Sequence, residues 1–215
     1  MTTSSALSVR IREATAAEHR AAETRGFITR LMDGEFDLAT YTRYLVQYAH
    51  VYRALESRPA RPGDPALIND SRLDRYPSIA SDLKHLGAAD WDSHGATDAT
   101  RAYCAHLEAI PEDDIPRYLA HHYTRYLGDL SGGQAIGTLM SRHYGATADQ
   151  LSFYRFEQIP AAPRFKNEYR AALDALDFTP EQEQSFVDES LVAFRLNGAI
   201  FDELGETQPS PASGP

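Results

Sequence analysis

Between Tyr126 and Gly137 the chain reads YLGDLSGGQAIG, a stretch with four glycines set inside a helical pattern. Leu119, Tyr123, Tyr126 and Leu130 lead through it at helical spacing, and Ile136, Leu139 and Met140 carry the pattern on. A glycine inside a helix costs about 1 kcal/mol relative to alanine, so this helix gives up roughly 3 to 4 kcal/mol. That is a sizeable fraction of a domain's net stability of about 5–15 kcal/mol. Ordinary core packing asks for no such loss. A large flat object lying against bare backbone does.

The chain of 215 residues suits one domain with a real core, and 24% charged against 42% hydrophobic residues describe a soluble globular protein. A net charge of -10 argues against broad binding to nucleic acid or an anionic membrane, while leaving room for a local basic patch. The single cysteine, Cys104, excludes an internal disulfide framework and any multi-cysteine metal site; among Ala102, Tyr103 and Leu107 it reads as a small buried hydrophobe. No run of 18 or more apolar residues occurs, and no signal-peptide core. A cytoplasmic protein is expected.

Strand signals are weak and helical periodicity recurs, which predicts an all-α single domain over residues 1–204 with a flexible polar tail at 205–215. Helices are expected from about Leu7 to Glu23, from Phe27 to the C′ residue Gly34, and along Leu38, Tyr41, Leu45, Tyr48, Tyr52 and Leu55. Residues Arg58 to Pro77, with four prolines, read as a loop with little regular structure. Shorter helices follow near Ile79 to Leu86 and Thr97 to Leu107, then the glycine-bearing helix from Ile115 to Tyr144. After a bend at Pro160 and Pro163, helix returns from about Arg164 to Leu176. The last helix has Thr179 as N-cap, Pro180 at N1, then Glu181, Gln182 and Glu183, and runs to about Leu204.

Four stripes carry chemistry. Arg125, Gly128, Asp129 and Gly132 fall at i, i+3, i+4 and i+7 and share one face. Two missing side chains beside two charged ones suit a pocket wall in which Asp129 and Arg125 organise water. A close helix crossing with an Arg125–Asp129 ion pair would use the same residues. On the first helix Arg12, His19 and Glu23 share a face. There Glu23 could fix one nitrogen of His19 and leave the other free for a metal, with Arg12 meeting an anionic group of the same ligand; solvated charge is the alternative. Lys166 and Arg170 form an i, i+4 basic pair suited to carboxylates or simply to solvent. Phe194, Asn197 and Phe201 place one amide on an apolar face, where it needs a partner. The chain lacks the Glu-x-x-His pairs of di-iron bundles, HExxH and the phosphate-binding glycine patterns. His121 and His122 point about 100° apart as helix neighbours. They read as surface or core histidines, His121 being the one nearer the pocket.

The stretch from Ala120 to Gln134, AHHYTRYLGDLSGGQ, resembles the distal-helix signature of the haem oxygenase family. EATAAEHRAAE, from Glu13 to Glu23, resembles its proximal helix, and further agreement lies in HVYRALE from His50, FKNEYR from Phe165 and AFRLN from Ala193. The similarity runs in order from about Leu7 to Leu204 and is closest to soluble bacterial members, with no membrane anchor and a monomer expected.

The resemblance implies haem b held between a proximal N-terminal helix and a glycine-kinked distal helix. His19 would be the iron ligand, hydrogen-bonded through Glu23. Gly128 and Gly132 would flank the opposite face, while Asp129 would hold a water that protonates bound dioxygen, with Tyr52, Arg125 and Asn197 in the same network. Arg12, Lys166, Arg170 and Tyr123 would bind the haem propionates, and Phe194 and Phe201 would line the pocket. Haem would be both cofactor and substrate, opened with dioxygen to biliverdin, carbon monoxide and ferrous iron. The chain has no flavin or nicotinamide motif, so electrons would come from an external donor: a ferredoxin, a flavodoxin or a flavin reductase. A non-catalytic haem carrier or sensor is the alternative use of such a pocket.

Overall fold

The computed structural model describes residues 5–206, apart from the side chain of Glu23. Among them nine α-helices account for the fold, with no strand: α1 Leu7–Ala14, α2 Ala16–Glu23, α3 Gly26–Met32, α4 Leu38–Glu56, α5 Tyr76–His85, α6 Asp98–Glu108, α7 Ile115–Tyr144, α8 Ala162–Asp174 and α9 Pro180–Glu206. The longest two, α7 and α9, pack on each other as the spine. On α9 lie α1, α2, α3 and α6, while α4 bridges α5, α6 and α7.

Local chemistry sets the helix ends. Asp37 accepts from Thr40 N at 2.7 Å and starts α4. Thr179 and Gln182 exchange hydrogen bonds, Gln182 N to Thr179 Oγ1 at 3.3 Å and Thr179 N to Gln182 Oε1 at 2.9 Å, the capping box expected ahead of α9. Gly145, at φ 67°, closes α7 in the left-handed region that glycine tolerates. Between its ends α7 is helical without interruption across all four glycines.

Five expectations change. The first helix is two, because Thr15 folds its hydroxyl back onto Ile11 O at 2.7 Å and sits at φ -92°, ψ -1°; such back-bonding bends helices. The proline-rich loop carries 3₁₀ turns at Ala66–Asn69 and Ser71–Leu73, and α5 begins at Tyr76, ahead of Pro77. The reason is remote: the Glu56 carboxylate at the end of α4 accepts from Arg75 N at 2.7 Å and Tyr76 N at 3.1 Å, capping α5 from another helix. Pro163 lies in the first turn of α8, where its missing N–H costs nothing, and so is not part of the bend before it. Cys104 is half-buried on α6, its thiol pushed up to about 11 by burial.

At the far end, α9 continues through Glu206, two residues into the expected tail, and 207–215 lie outside the described residues. No helix among the described residues is long and apolar enough to cross a membrane.

Candidate active site

The spine and the short helices around it enclose a largely apolar cavity of about 410 Å³, within the usual range of roughly 300–1,000 Å³ for small-molecule sites. Three of the four stripes meet there. From α2 comes His19, from α7 Arg125, Gly128, Asp129 and Gly132, and from α9 Phe194, Asn197 and Phe201. The His19 ring meets Phe194 edge-on at 5.9 Å. The Glu23 side chain, and with it the expected His19–Glu23 bond, lies outside the described residues.

The glycines divide by face. A methyl group added at Gly128 would find nothing within 4 Å, and one at Gly132 only Ile136 Cδ1 at 4.0 Å. Their bare backbone opens on the cavity, so the helix-crossing reading of this pair does not hold. Crossing belongs to the other pair: at Gly133 and Gly137 an added methyl would lie 3.4 and 3.3 Å from Tyr154. Tyr154 is brought there by a 3₁₀ turn at Ser152–Tyr154. The fully buried Asp82 of α5 holds that turn by accepting from Ser152 N and Phe153 N, each at 2.8 Å.

Asp129 is tied into a polar network rather than a simple ion pair. Tyr52 donates its hydroxyl to Asp129 Oδ2. Arg125 donates from Nε to Tyr52 Oη at 3.2 Å and from Nη1 to Asn197 Oδ1 at 2.5 Å. Tyr48 donates to the same Asn197 oxygen at 2.9 Å, and the Arg125 guanidinium stacks 4.4 Å over the Tyr48 ring. Burial raises the Asp129 carboxyl above its ordinary range, against the opposing pull of Arg125, Tyr52 and Arg75. The wall therefore keeps a carboxyl poised to exchange a proton, locked in place by groups that cannot easily move. Tyr52 itself is fully buried and meets the cavity through Asp129 and Arg125.

Behind this network lies a second one. Tyr126, beside Tyr52 on the inner face of α7, donates to Glu56 Oε1 at 2.9 Å. Burial raises Glu56 to about 7, against the backbone bonds of Arg75 and Tyr76 and the Tyr126 hydroxyl.

The remaining expected residues, Arg12, Tyr123, Lys166 and Arg170, do not line the cavity. The Tyr123 hydroxyl sits beside Arg170 and Arg12. Lys166 donates from Nζ to Ser131 Oγ at 3.0 Å, and Ser131 does line the cavity. Burial and the nearby charge of Arg170 lower the Lys166 ammonium. Lys166 of α8 thus stands beside the cavity wall, while Arg170 of α8 and Arg12 of α1 flank Tyr123.

His121 goes elsewhere. It does not line the cavity: Tyr103 Oη lies 3.1 Å from its Nδ1 and Glu189 Oε1 lies 3.0 Å from its Nε2. His122 is core, 2.8 Å from Tyr169 Oη. The sequence placed Tyr48 only in the helical spacing of α4 and missed its part in the network. Its place one turn before Tyr52 on α4 was the available signal.

A family model described as Heme oxygenase matches residues 5–203. A heme oxygenase of Guillardia theta is 34% identical over 203 residues, covering 92% of this chain and 86% of that protein. Among solved structures, heme oxygenase-1 of the cyanobacterium Synechocystis sp. PCC6803 in complex with heme superposes with a TM-score of 0.86 at 31% identity, covering 93% of this chain and 92% of the other. Heme oxygenase of Leptospira interrogans superposes at 0.84 with 34% identity, covering 92% and 99%. With a family model matching nearly the whole chain, relatives above 30% identity and a shared fold, the chain belongs to the haem oxygenase family.

Proposed function

We propose that this chain opens haem oxidatively and that its side chains divide the work as follows. His19 holds the iron from α2. Gly128 and Gly132 let the ring lie against the backbone of α7; any Cβ there would project into the cavity. Arg12, Lys166, Arg170 and Tyr123 hold the propionates. Phe194 and Phe201 give the ring an apolar wall. The donor set fits such a ligand: one imidazole, a flat apolar slot and the Lys166 ammonium beside its wall. When bound, haem supplies the iron at which dioxygen is activated and is itself the substrate, ending as biliverdin, carbon monoxide and ferrous iron.

Asp129 holds a water and passes protons through it toward the reacting oxygen. Tyr52 and Arg125 fix the carboxylate, while Asn197 and Tyr48 fix Arg125. Delivering the proton through water from a carboxyl, with no strong acid in direct contact, favours attack on the ring over immediate O–O cleavage. Electrons come from an external ferredoxin, flavodoxin or flavin reductase docking on the monomer in the cytoplasm.

One observation carries this reading: among the described residues, the polar side chains that α7 brings to the cavity, Thr124, Arg125, Asp129 and Ser131, include a carboxyl held in place from behind. Anaerobic loading with haem, then addition of oxygen and a reductant, tests it. Release of carbon monoxide and a bilin is expected; haem that binds and stays intact would make the chain a carrier. His19→Ala is expected to lose the axial nitrogen signature of the ferric spectrum, and an unchanged spectrum would assign the iron to another ligand.

A further inference from the structure

Outside the haem cavity, three helices aim ligating atoms at one point. His106 of α6, His121 of α7 and Glu189 of α9 place two imidazole Nε2 atoms and a carboxylate oxygen within 4.8 Å of one another. Both Nε2 atoms address the same oxygen, Glu189 Oε1, His121 from 3.0 Å and His106 in direct hydrogen-bond contact. The other carboxylate oxygen is taken by Arg117, whose Nε donates to Oε2 at 2.9 Å. His121 is fully buried and Glu189 nearly so, while the His106 side chain keeps 28% of its surface exposed.

The arrangement has the features of a metal centre. Tyr103 Oη at 3.1 Å from His121 Nδ1 can accept the proton of that nitrogen, which leaves Nε2 as a lone-pair donor facing Glu189. Arg117 holds Oε2 through Nε at 2.9 Å and reaches Oε1 only through a longer contact from Nη2 at 3.5 Å, so Oε1 is the oxygen an ion would take. Two imidazoles and one carboxylate make a borderline donor set, suited to zinc, cobalt or nickel and poorly suited to calcium or magnesium. Three protein ligands leave a fourth position for water, and the exposed edge of His106 provides a route from solvent. The guanidinium of Arg117 opposes a cation, so binding is weaker than in a closed four-ligand site.

We propose that His106, His121 and Glu189 bind one divalent transition-metal ion, separate from haem iron, that ties α6, α7 and α9 together. The site is coupled to the cavity through two helices. His121 lies one turn before Arg125 on α7, and Glu189 lies eight residues before Asn197 on α9. An ion there fixes the two helices whose side chains meet in the Arg125–Asn197 bond.

The test uses the full chain, haem-free and stripped with a chelator, because haem absorption covers the bands of cobalt. Titration with cobalt(II) is expected to give one equivalent of bound ion with the visible bands of a four-coordinate centre. Zinc should displace it, releasing no net charge but abolishing the bands, and should raise the melting temperature. His106→Gln, at the half-exposed ligand and so compatible with folding, is expected to weaken binding at least 100-fold and to remove the thermal shift. Tyr103→Phe, which leaves all three ligands, is expected to weaken it about 10-fold. Cobalt uptake that survives His106→Gln unchanged, or no uptake at equimolar metal and protein, would overturn the proposal and leave Glu189 as the acceptor of a purely protonic cluster.

Discussion

The two faces of α7 carry the same parts for different ends. Toward the cavity lie the glycine pair Gly128 and Gly132 and the carboxyl of Asp129, held by a tyrosine, Tyr52. Away from it lie Gly137, closed by Tyr154, and a carboxyl from α4, Glu56, bonded by Tyr126, while Gly133 packs on Tyr154 at the cavity's edge. Both carboxyls are raised by burial. On the cavity side, absent side chains leave space that a ligand can fill; on the inner side, the same absence lets another segment come close. A glycine therefore has no fixed meaning on a helix until its neighbour is known.

The sharpest way to separate the faces is to remove each carboxyl. Asp129→Ala is expected to keep haem binding within a few-fold and to lower bilin formation by about 100-fold or more, the ordinary scale of a lost general acid. The oxidising equivalents should drift to peroxidase-like products. Glu56→Gln, which keeps the shape and the acceptor oxygen, should leave bilin formation within about threefold. Single-turnover bilin yield measures both. Normal yield from Asp129→Ala would remove the proton-relay role.

The inner carboxyl should instead be visible in stability. Glu56 titrates at about 7 in the fold against 4.5 for a free side chain, so the native state binds its proton more tightly than the unfolded chain does. Its contribution is fully present below pH 4.5, falls as pH rises and is lost by about pH 7. The difference corresponds to roughly 3 kcal/mol. Denaturant unfolding of the chain against pH should show a decline over that window that is missing in Glu56→Gln; parallel curves would mean that Glu56 ionises normally.

Much of this division is visible in the sequence, and what is missing has a physical reason. Helix spacing separates Gly128 and Gly132 from Gly133 and Gly137, and it puts Arg125 and Asp129 beside the first pair. It does not say what meets the second pair, because Tyr154 arrives through a turn held by Asp82, some seventy residues earlier in the chain. The start of α5 is hidden for the same reason: its cap is Glu56, at the end of another helix, and Pro77 without that cap looks like loop. Thr15 reads as an ordinary helix residue, since its back-bond depends on rotamer and not on pattern. Tyr48 lies on the same apolar stripe as the core tyrosines, so its hydroxyl, aimed at Asn197, could be recognised only once α9 was in place. Local periodicity gave the helices and their faces; contacts between helices gave the caps, the supports of the network and the true partner of His121.

Adding bulk tests the faces more gently. Gly132→Leu should fill part of the cavity and weaken haem binding by about 10- to 100-fold, on the order of the 1–3 kcal/mol that overpacking costs, with little change in haem-free stability. Gly137→Leu should do the reverse, lowering stability by about 1–3 kcal/mol through Tyr154 and sparing affinity in the molecules that fold. Haem titration and denaturant midpoints, measured on both variants, decide. Equal effects on both readouts would mean that the two faces are not mechanically separate.

The smallest change asks whether the open pair is a stability defect at all. Alanine at Gly128 meets nothing within 4 Å, so the haem-free protein should gain helix propensity without a clash, by about 1 kcal/mol. Alanine at Gly137 gains the same propensity, but its methyl stands 3.3 Å from two Tyr154 carbons, tighter than comfortable contact, and the gain should shrink toward zero or reverse. Thermal melts of the two haem-free variants read the difference directly, and a rise at Gly128 alone is expected. With haem added, the rise at Gly128 should be offset by weaker binding, since the methyl occupies space the ring needs. If Gly128→Ala stabilises the haem-free and haem-bound forms equally, the ligand does not approach that backbone, and the wall it lies against must be sought elsewhere in the cavity.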